Sequence, residues 1–151
     1  SRLDLRPLTG KYETGAVLSV NITAQDSKYG LTELSFKGHT LFIPHINFPI
    51  GTHLRMRIWA RDVSLSKSKP SQTSILNVFE ATIREISPNG LSQCEILLDI
   101  GTPLIALITR KSVIDLKLEV GGKVYAQVKA AAIDRRILGP GPTHVSKSIL
   151  M

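Results

Sequence analysis

The chain reads as a succession of short stretches in which apolar and polar residues alternate: GAVLSVNI, LTELSF, HTLFI, LRMRIWA, FEATIREI, SQCEILLDI, PLIALIT and KVYAQVKA. A period of two puts successive side chains on opposite faces of a strand. Turn residues fall between the stretches, at Tyr29-Gly30, Lys37-Gly38, Pro49-Ile50-Gly51, Pro88-Asn89-Gly90, Gly101 and Gly121-Gly122. Short strands at this spacing predict a mainly β chain built as small barrels. One segment departs from the pattern. Arg110 to Leu118, RKSVIDLKL, sets Val113, Ile114 and Leu116 on one face behind Thr109 as N-cap, which predicts two or three turns of helix.

The alternation lapses between Ser64 and Ser74, where SLSKSKPSQTS has the composition of a linker. This divides the chain into a first lobe over residues 1–66, a connector over 67–73, a second lobe over 74–138 and a tail over 139–151 with two Gly-Pro steps. The opening SRLDLRPLTG reads as a segment crossing from a domain that precedes it.

The two lobes resemble each other. GTHLRMRIWARDV from Gly51 lies over GGKVYAQVKAAAI from Gly121, so that Leu54, Met56, Ile58 and Val63 meet Val124, Ala126, Val128 and Ile133, and Trp59 meets Lys129. Upstream, VLSVNI ending at Ile22 matches ATIREI ending at Ile86, which leaves the second lobe six residues longer, at the predicted helix. In the first lobe that place is taken by PHINFPIG, whose prolines disfavour a helix. A duplicated unit follows, with the extra element in its second copy.

Composition narrows the function. The net charge of +7 favours an anionic partner: nucleic acid, acidic lipid or a small oxyanion. No run approaches the roughly 18 apolar residues of a membrane helix, so the chain reads as soluble and intracellular. The single cysteine, Cys94, sits among apolar residues as a buried thiol. His39, His45, His53 and His144 lack ligand-like spacing, so no metal site is expected. There is no Ser, His and acid arrangement, no close carboxylate pair and no cofactor motif, so the fragment is not expected to be an enzyme.

In the second half, TSILNVFEATIREI, LLDIG and LIALITRKSVIDLKLEVGGKVYAQVKA resemble the molybdate-binding module of molbindins and of the molybdate-responsive transcription regulator, also called a TOBE domain. Ser74, Asn77, Ile108, Thr109, Ser112, Leu116, Leu118, Gly121, Lys129 and Ala130 match its pattern. In the first half, LRPLTGKYETGAVLSVNI, YGLTELSF, LFIP and LRMRIWARDVSLS look like the segment that follows the nucleotide-binding domain in molybdate-import ATPases. The phosphate-binding loop and ABC signature of those ATPases are absent from this sequence.

The resemblance implies two tandem OB-like lobes, a duplicated molbindin-like module, with molybdate or tungstate as ligand. It implies a homodimer with the oxyanion between subunits, working with an ATPase domain and a membrane permease at the cytoplasmic face of the inner membrane. Feedback inhibition of transport is the role that follows, and nucleic acid is not an expected partner. The ligand set carried over is Ser74 and Ile75, the latter through its backbone N–H, with Thr109, Ser112 and Lys129. Arg110 and Lys111 would raise the local potential. A tetrahedral dianion needs converging donors, which hydroxyls, amides and one ammonium supply. Thr109 and Ser112 also bracket the first turn of the predicted helix, whose dipole favours an anion. One departure stands at Leu76, where related modules often carry arginine. Asn77 is read as ordering backbone, and Trp59 as packing between lobes. Two rival functions remain, a nucleic-acid-binding OB-like barrel and a free-standing molybdate storage protein; the 5% aromatic content speaks against the first.

Overall fold

The computed structural model describes residues 14–134, so the lead-in before Thr14 and the tail over 139–151 lie outside the described residues. Strands β1 (Gly15–Asp26), β2 (Leu31–Phe36), β3 (His39–Pro44) and β4 (His53–Trp59) come first, and a 3-10 turn (Ala60–Asp62) leads into β5 (Ser64–Ser66). The series then repeats as β6 (Asn77–Asn89), β7 (Gln93–Asp99), β8 (Pro103–Thr109), helix α1 (Arg110–Asp115), β9 (Lys123–Val128) and a second 3-10 turn (Ala130–Ala132). The strands form two antiparallel sheets, ordered β3-β2-β1-β4 and β5-β9-β6-β7-β8. The mainly β architecture expected from the alternation, and the two OB-like lobes implied by the resemblance, are what forms, with the α-helix in the second lobe.

In each lobe one long strand borders two neighbours. β1 pairs with β4 along its first half and with β2 along its second, and β6 pairs in the same way with β9 and β7. The register shifts between Ile22 and Ala24 in β1 and between Ile83 and Glu85 in β6. An extra residue at such a point bends the strand, which lets the sheet curl toward a barrel.

These bulges also set the repeat. Ile22 donates its N–H to Thr52 and accepts from Gly51, while Ile83 does the same with Gly122 and Gly121. Ile22 therefore corresponds to Ile83 and not to Ile86, and the surplus of the second lobe is nine residues where the sequence alignment had six. The apolar alternation matched at either register; only the bulge distinguishes them.

The lobes exchange chain. Ser64, Leu65 and Ser66, which lack an apolar period and fall by sequence at the end of the first lobe, pair with Gln127, Ala126 and Tyr125 of the second lobe. β5 also packs against β8, so the second barrel is closed by a strand that follows the first. In return Asp134, which follows β9 and the second 3-10 turn, bridges to Arg57 on β4. Asn77 extends the exchange: its amide donates to the Phe42 carbonyl at 2.9 Å, and its side-chain oxygen accepts the Phe42 N–H at 2.7 Å. A fully buried asparagine thus stands in for a strand rung between β6 and β3.

One continuous core runs through both lobes, from Leu18, Ile22, Leu34 and Met56 to Phe79, Ile96, Leu98 and Val128. β7 is buried on both faces: Cys94, Ile96 and Leu98 belong to that core, whereas Leu97 packs with Ile105, Leu107 and Ala60 of the first 3-10 turn. That second face is why the β7 sequence, QCEILLD, loses the apolar alternation.

Helix α1 is shorter than predicted. Leu116 is its C-cap, the Lys117 N–H returns to the Ile114 carbonyl, and the Leu118 N–H returns to that of Val113. This pair of bonds is a Schellman stop, and it needs a left-handed residue, here Lys117 at φ 54°. Val113 and Leu116 pack on the core, but Ile114 is 64% exposed, because six residues cannot turn all three apolar side chains inward.

Replacing Asn77 by alanine leaves both Phe42 backbone groups without their partner; a loss of about 2–4 kcal/mol in urea unfolding is expected. Lys117→Gly removes the left-handed strain and is expected to raise stability by about 1 kcal/mol in the same measurement.

Candidate functional site

The residues singled out in the sequence fall into two groups. Lys129 follows β9, whose Val128 pairs with Asn77 at the start of β6, so Lys129 borders the end of β6 that Ser74, Ile75 and Leu76 lead into. Thr109 ends β8 and pairs with Gln93, which itself pairs with Asn89, the last residue of β6. The two groups therefore lie at opposite ends of β6, about 40 Å of strand contour at ~3.3 Å per residue. Within one chain Thr109, Arg110, Lys111 and Ser112 are contiguous, while Ser74, Ile75 and Lys129 border the same end of β6. Across the sheet register, the first group is not joined to the second.

In the first group Lys129 and Ser74 are exposed and Leu76 is 50% exposed. Lys129 has no ion-pair partner among the described residues. It opens the second 3-10 turn, which packs on β3 of the first lobe and holds the lysine at the margin of both lobes. The Ile75 N–H, expected as a ligand donor, is engaged by the Thr73 hydroxyl at 3.1 Å. An incoming anion has to displace that local bond. Leu76 leaves the ammonium of Lys129 as the cation of this corner.

In the second group the Thr109 hydroxyl accepts the Ser112 N–H at 3.1 Å and donates its own proton to the Ser112 hydroxyl at 3.0 Å. Threonine is a standard N-cap because its oxygen satisfies an orphan amide of the first turn. The same bond leaves the Ser112 proton free to point outward. The helix end itself contributes less than the sequence suggested. α1 has six residues and a weak dipole, the Arg110 N–H is taken by the Ser92 carbonyl, and that of Ser112 by Thr109. Lys111 is paired with Asp115, and Arg110 reaches the Leu91 carbonyl at 3.4 Å, so neither side chain hangs free. The donors of this corner are hydroxyls.

By the repeat, Thr14, Gly15 and Trp59 of the first lobe hold the places of Ile75, Leu76 and Lys129. Here the indole fills the corner. A Cβ on Gly15 would lie 3.1 Å from the Trp59 ring, so glycine permits the indole to settle on the strand. Arg57 and Arg61 stack on that ring at 4.7 and 5.7 Å, and its Nε1–H donates to Asp134 at 3.1 Å. The interlobe packing expected of Trp59 is present. Gly15 as its platform was not read from the sequence, where it was only the first residue of a strand.

Two open cavities are lined by described residues. One, of about 520 Å³, lies between Trp59, Arg61, Asp62 and Ala131–Asp134. The other, of about 460 Å³, lies at the β7–β8 turn around Arg84, Asp99, Gly101 and Thr102. There Arg84, the extra residue of the β6 bulge, donates to Asp99 at 2.8 Å and holds its carboxyl below the ordinary carboxylate range, aided by the Gly101 N–H. This ion pair is solvent-screened and closes on itself, so it has little charge to offer a ligand. No described helix is long and apolar enough to cross a membrane.

The TOBE domain model matches residues 73–134. The chain is 37% identical over 132 residues to the molybdenum import ATP-binding protein ModC of Paramagnetospirillum magneticum, covering 87% of this chain and 36% of that protein. It is 40% identical over 134 residues to ModC of Albidiferax ferrireducens, covering 88% and 36% respectively. The chain thus spans little more than a third of the length of these relatives. The fold is that of the cytoplasmic molybdate-binding protein ModG, solved with molybdate bound: TM-score 0.69 at 19% identity, over 78% of this chain and 92% of that one. With its duplicated barrels, this chain matches the TOBE domain model over residues 73–134, within a segment similar to molybdenum import ATP-binding proteins.

Proposed function

We propose that the chain is the oxyanion-sensing regulatory part of a molybdate or tungstate importer's ATP-binding subunit, and that it binds the oxyanion between two copies of itself. The observation that carries this reading is the division of the donor set. An exposed Lys129, without an ion-pair partner among the described residues, stands at one end of β6, and the Thr109–Ser112 hydroxyl pair stands at the other. Each end alone offers half of what a tetrahedral dianion requires: one has the charge, the other the hydroxyls. When the Lys129 end of one copy meets the Thr109 end of a second, the set is complete, and a two-fold arrangement completes it twice.

In this reading residues 74–138 form the binding lobe, and residues 1–66 are scaffold and connection to an ATPase domain. Similarity to ATP-binding subunits over a third of their length supports a cytoplasmic position at the inner membrane, with a permease as further partner. An oxyanion that clamps two regulatory parts together shifts the paired ATPases toward one arrangement by its differential affinity for that state, which is feedback by the transported product. The role is binding; no catalytic step is assigned to these residues.

Molybdate and tungstate are expected to raise the melting temperature by mass action, by several degrees at about 100 times Kd, with sulfate at equal concentration doing much less. Lys129→Ala should abolish the shift while leaving the unliganded melting temperature unchanged. Equal shifts from all three anions would sink the specific-sensor reading.

A second measurement addresses the shared site. Lys129→Ala and the double variant Thr109→Val, Ser112→Ala should each fail to bind alone. Mixed in equal amounts, they should recover binding, because a mixed pair contains one intact corner from each copy. Failure of the mixture to bind, with each variant folded, would place all ligands in one chain.

A further inference from the structure

Resting on that reading, we infer that Glu95 links occupancy of the Thr109–Ser112 corner to Thr14, where the described chain begins, so that a bound oxyanion loosens the contact between Thr14 and the second lobe. Directly paired residues of antiparallel strands share a face. Along the outer face of β7 and β8 the rungs run Gln93–Thr109, Glu95–Leu107 and Leu97–Ile105. The first rung carries the proposed ligand, and the third packs beneath Ala60 of the first lobe. Glu95 stands between them.

This glutamate is 7% exposed, with Leu107 opposite it and the apolar Leu97–Ile105 rung beside it. Its Oε2 accepts the Thr14 hydroxyl at 2.7 Å and the Asn89 side-chain N–H at 3.3 Å. Thr14, also buried, accepts the Ala60 N–H at its carbonyl, at 2.8 Å. Asn89 begins the turn whose Leu91 and Ser92 carbonyls receive the Arg110 guanidinium and N–H. One carboxylate therefore holds both Thr14, which leads into β1, and the turn that seats the helix. A buried carboxylate deprived of its donors is costly, so these groups respond together.

The sign follows from charge. An oxyanion at Thr109 and Ser112 brings negative charge one rung away from the buried Glu95 carboxylate, about 7 Å along the strand. Repulsion acts on the carboxylate and through it on Thr14. Coupling is reciprocal, so Glu95 also weakens the oxyanion's hold.

The test uses the whole chain with sodium molybdate as probe, reading amide exchange at Ala60 and affinity by titration calorimetry. In the wild type, saturating molybdate is expected to speed exchange at Ala60 by about tenfold. Glu95→Gln keeps the shape and removes the charge; molybdate should bind about tenfold more tightly, and exchange at Ala60 should no longer respond. Thr14→Ala leaves the charge in place, so affinity should stay within about threefold of wild type while the Ala60 response is lost. A purely structural glutamate would lower stability and move neither the affinity nor the response. An unchanged affinity in Glu95→Gln, or a persisting Ala60 response in either folded variant, overturns the link. A wild type that binds molybdate without any change at Ala60 overturns it alone, whereas a wild type that binds neither molybdate nor tungstate overturns the functional reading with it.

Discussion

Neither barrel can be finished by its own half of the chain. A β-sheet edge with open N–H and C=O groups is a liability, and this fold removes two such edges by mutual loan: β5 closes the second barrel, and Asp134 reaches back to β4. Everything else depends on that loan. The 3-10 turns preceding each crossing pack on the opposite lobe, the outer face of β7 becomes interior, and Asn77 is drawn to β3, where its amide replaces a missing rung. Two lobes that would each be marginal at this size share one core, so separating them would expose apolar surface and unpaired backbone at once.

The same exchange locates the candidate ligands. Lys129 and Trp59 stand at corresponding places, each at the threshold of a crossing, where β-structure gives way to a 3-10 turn and the chain leaves its own lobe. Such positions are held firmly by the backbone on both sides while their side chains face the margin. A cation there is fixed without being buried, which suits capture of an anion that must also leave. In the first lobe the margin is sealed by an indole lying on glycine, so duplication has kept one corner open and shut the other.

Much of the fold was legible because buried and exposed positions alternate along β1, β2, β4 and β9 with little interruption. What escaped was whatever depended on distant chain. Ser64–Ser66 has no apolar signature, because only Leu65 turns toward the core, and its pairing is decided by strands sixty residues away. The repeat was misaligned by three residues because a bulge leaves no trace in hydrophobic pattern. The helix stops early at a lysine in a conformation that glycine would have advertised. Among the candidate ligands, Thr109 declared itself as an N-cap, whereas Lys129 and Ser74 were recognisable only through resemblance to a family pattern. Glu95 read as the polar interruption of a strand; nothing local told that its face would be covered by the first lobe.

Trp59 is the single tryptophan of the chain. Its indole is half-buried at the seam between the lobes, hydrogen-bonded to Asp134 and lying against two guanidinium groups. The protein therefore carries its own optical gauge: emission from one fluorophore reports the tightness of the crossing itself. Opening of the seam would shift that emission to the red as water reaches the ring, and separation of the lobes could be followed in the unlabelled chain.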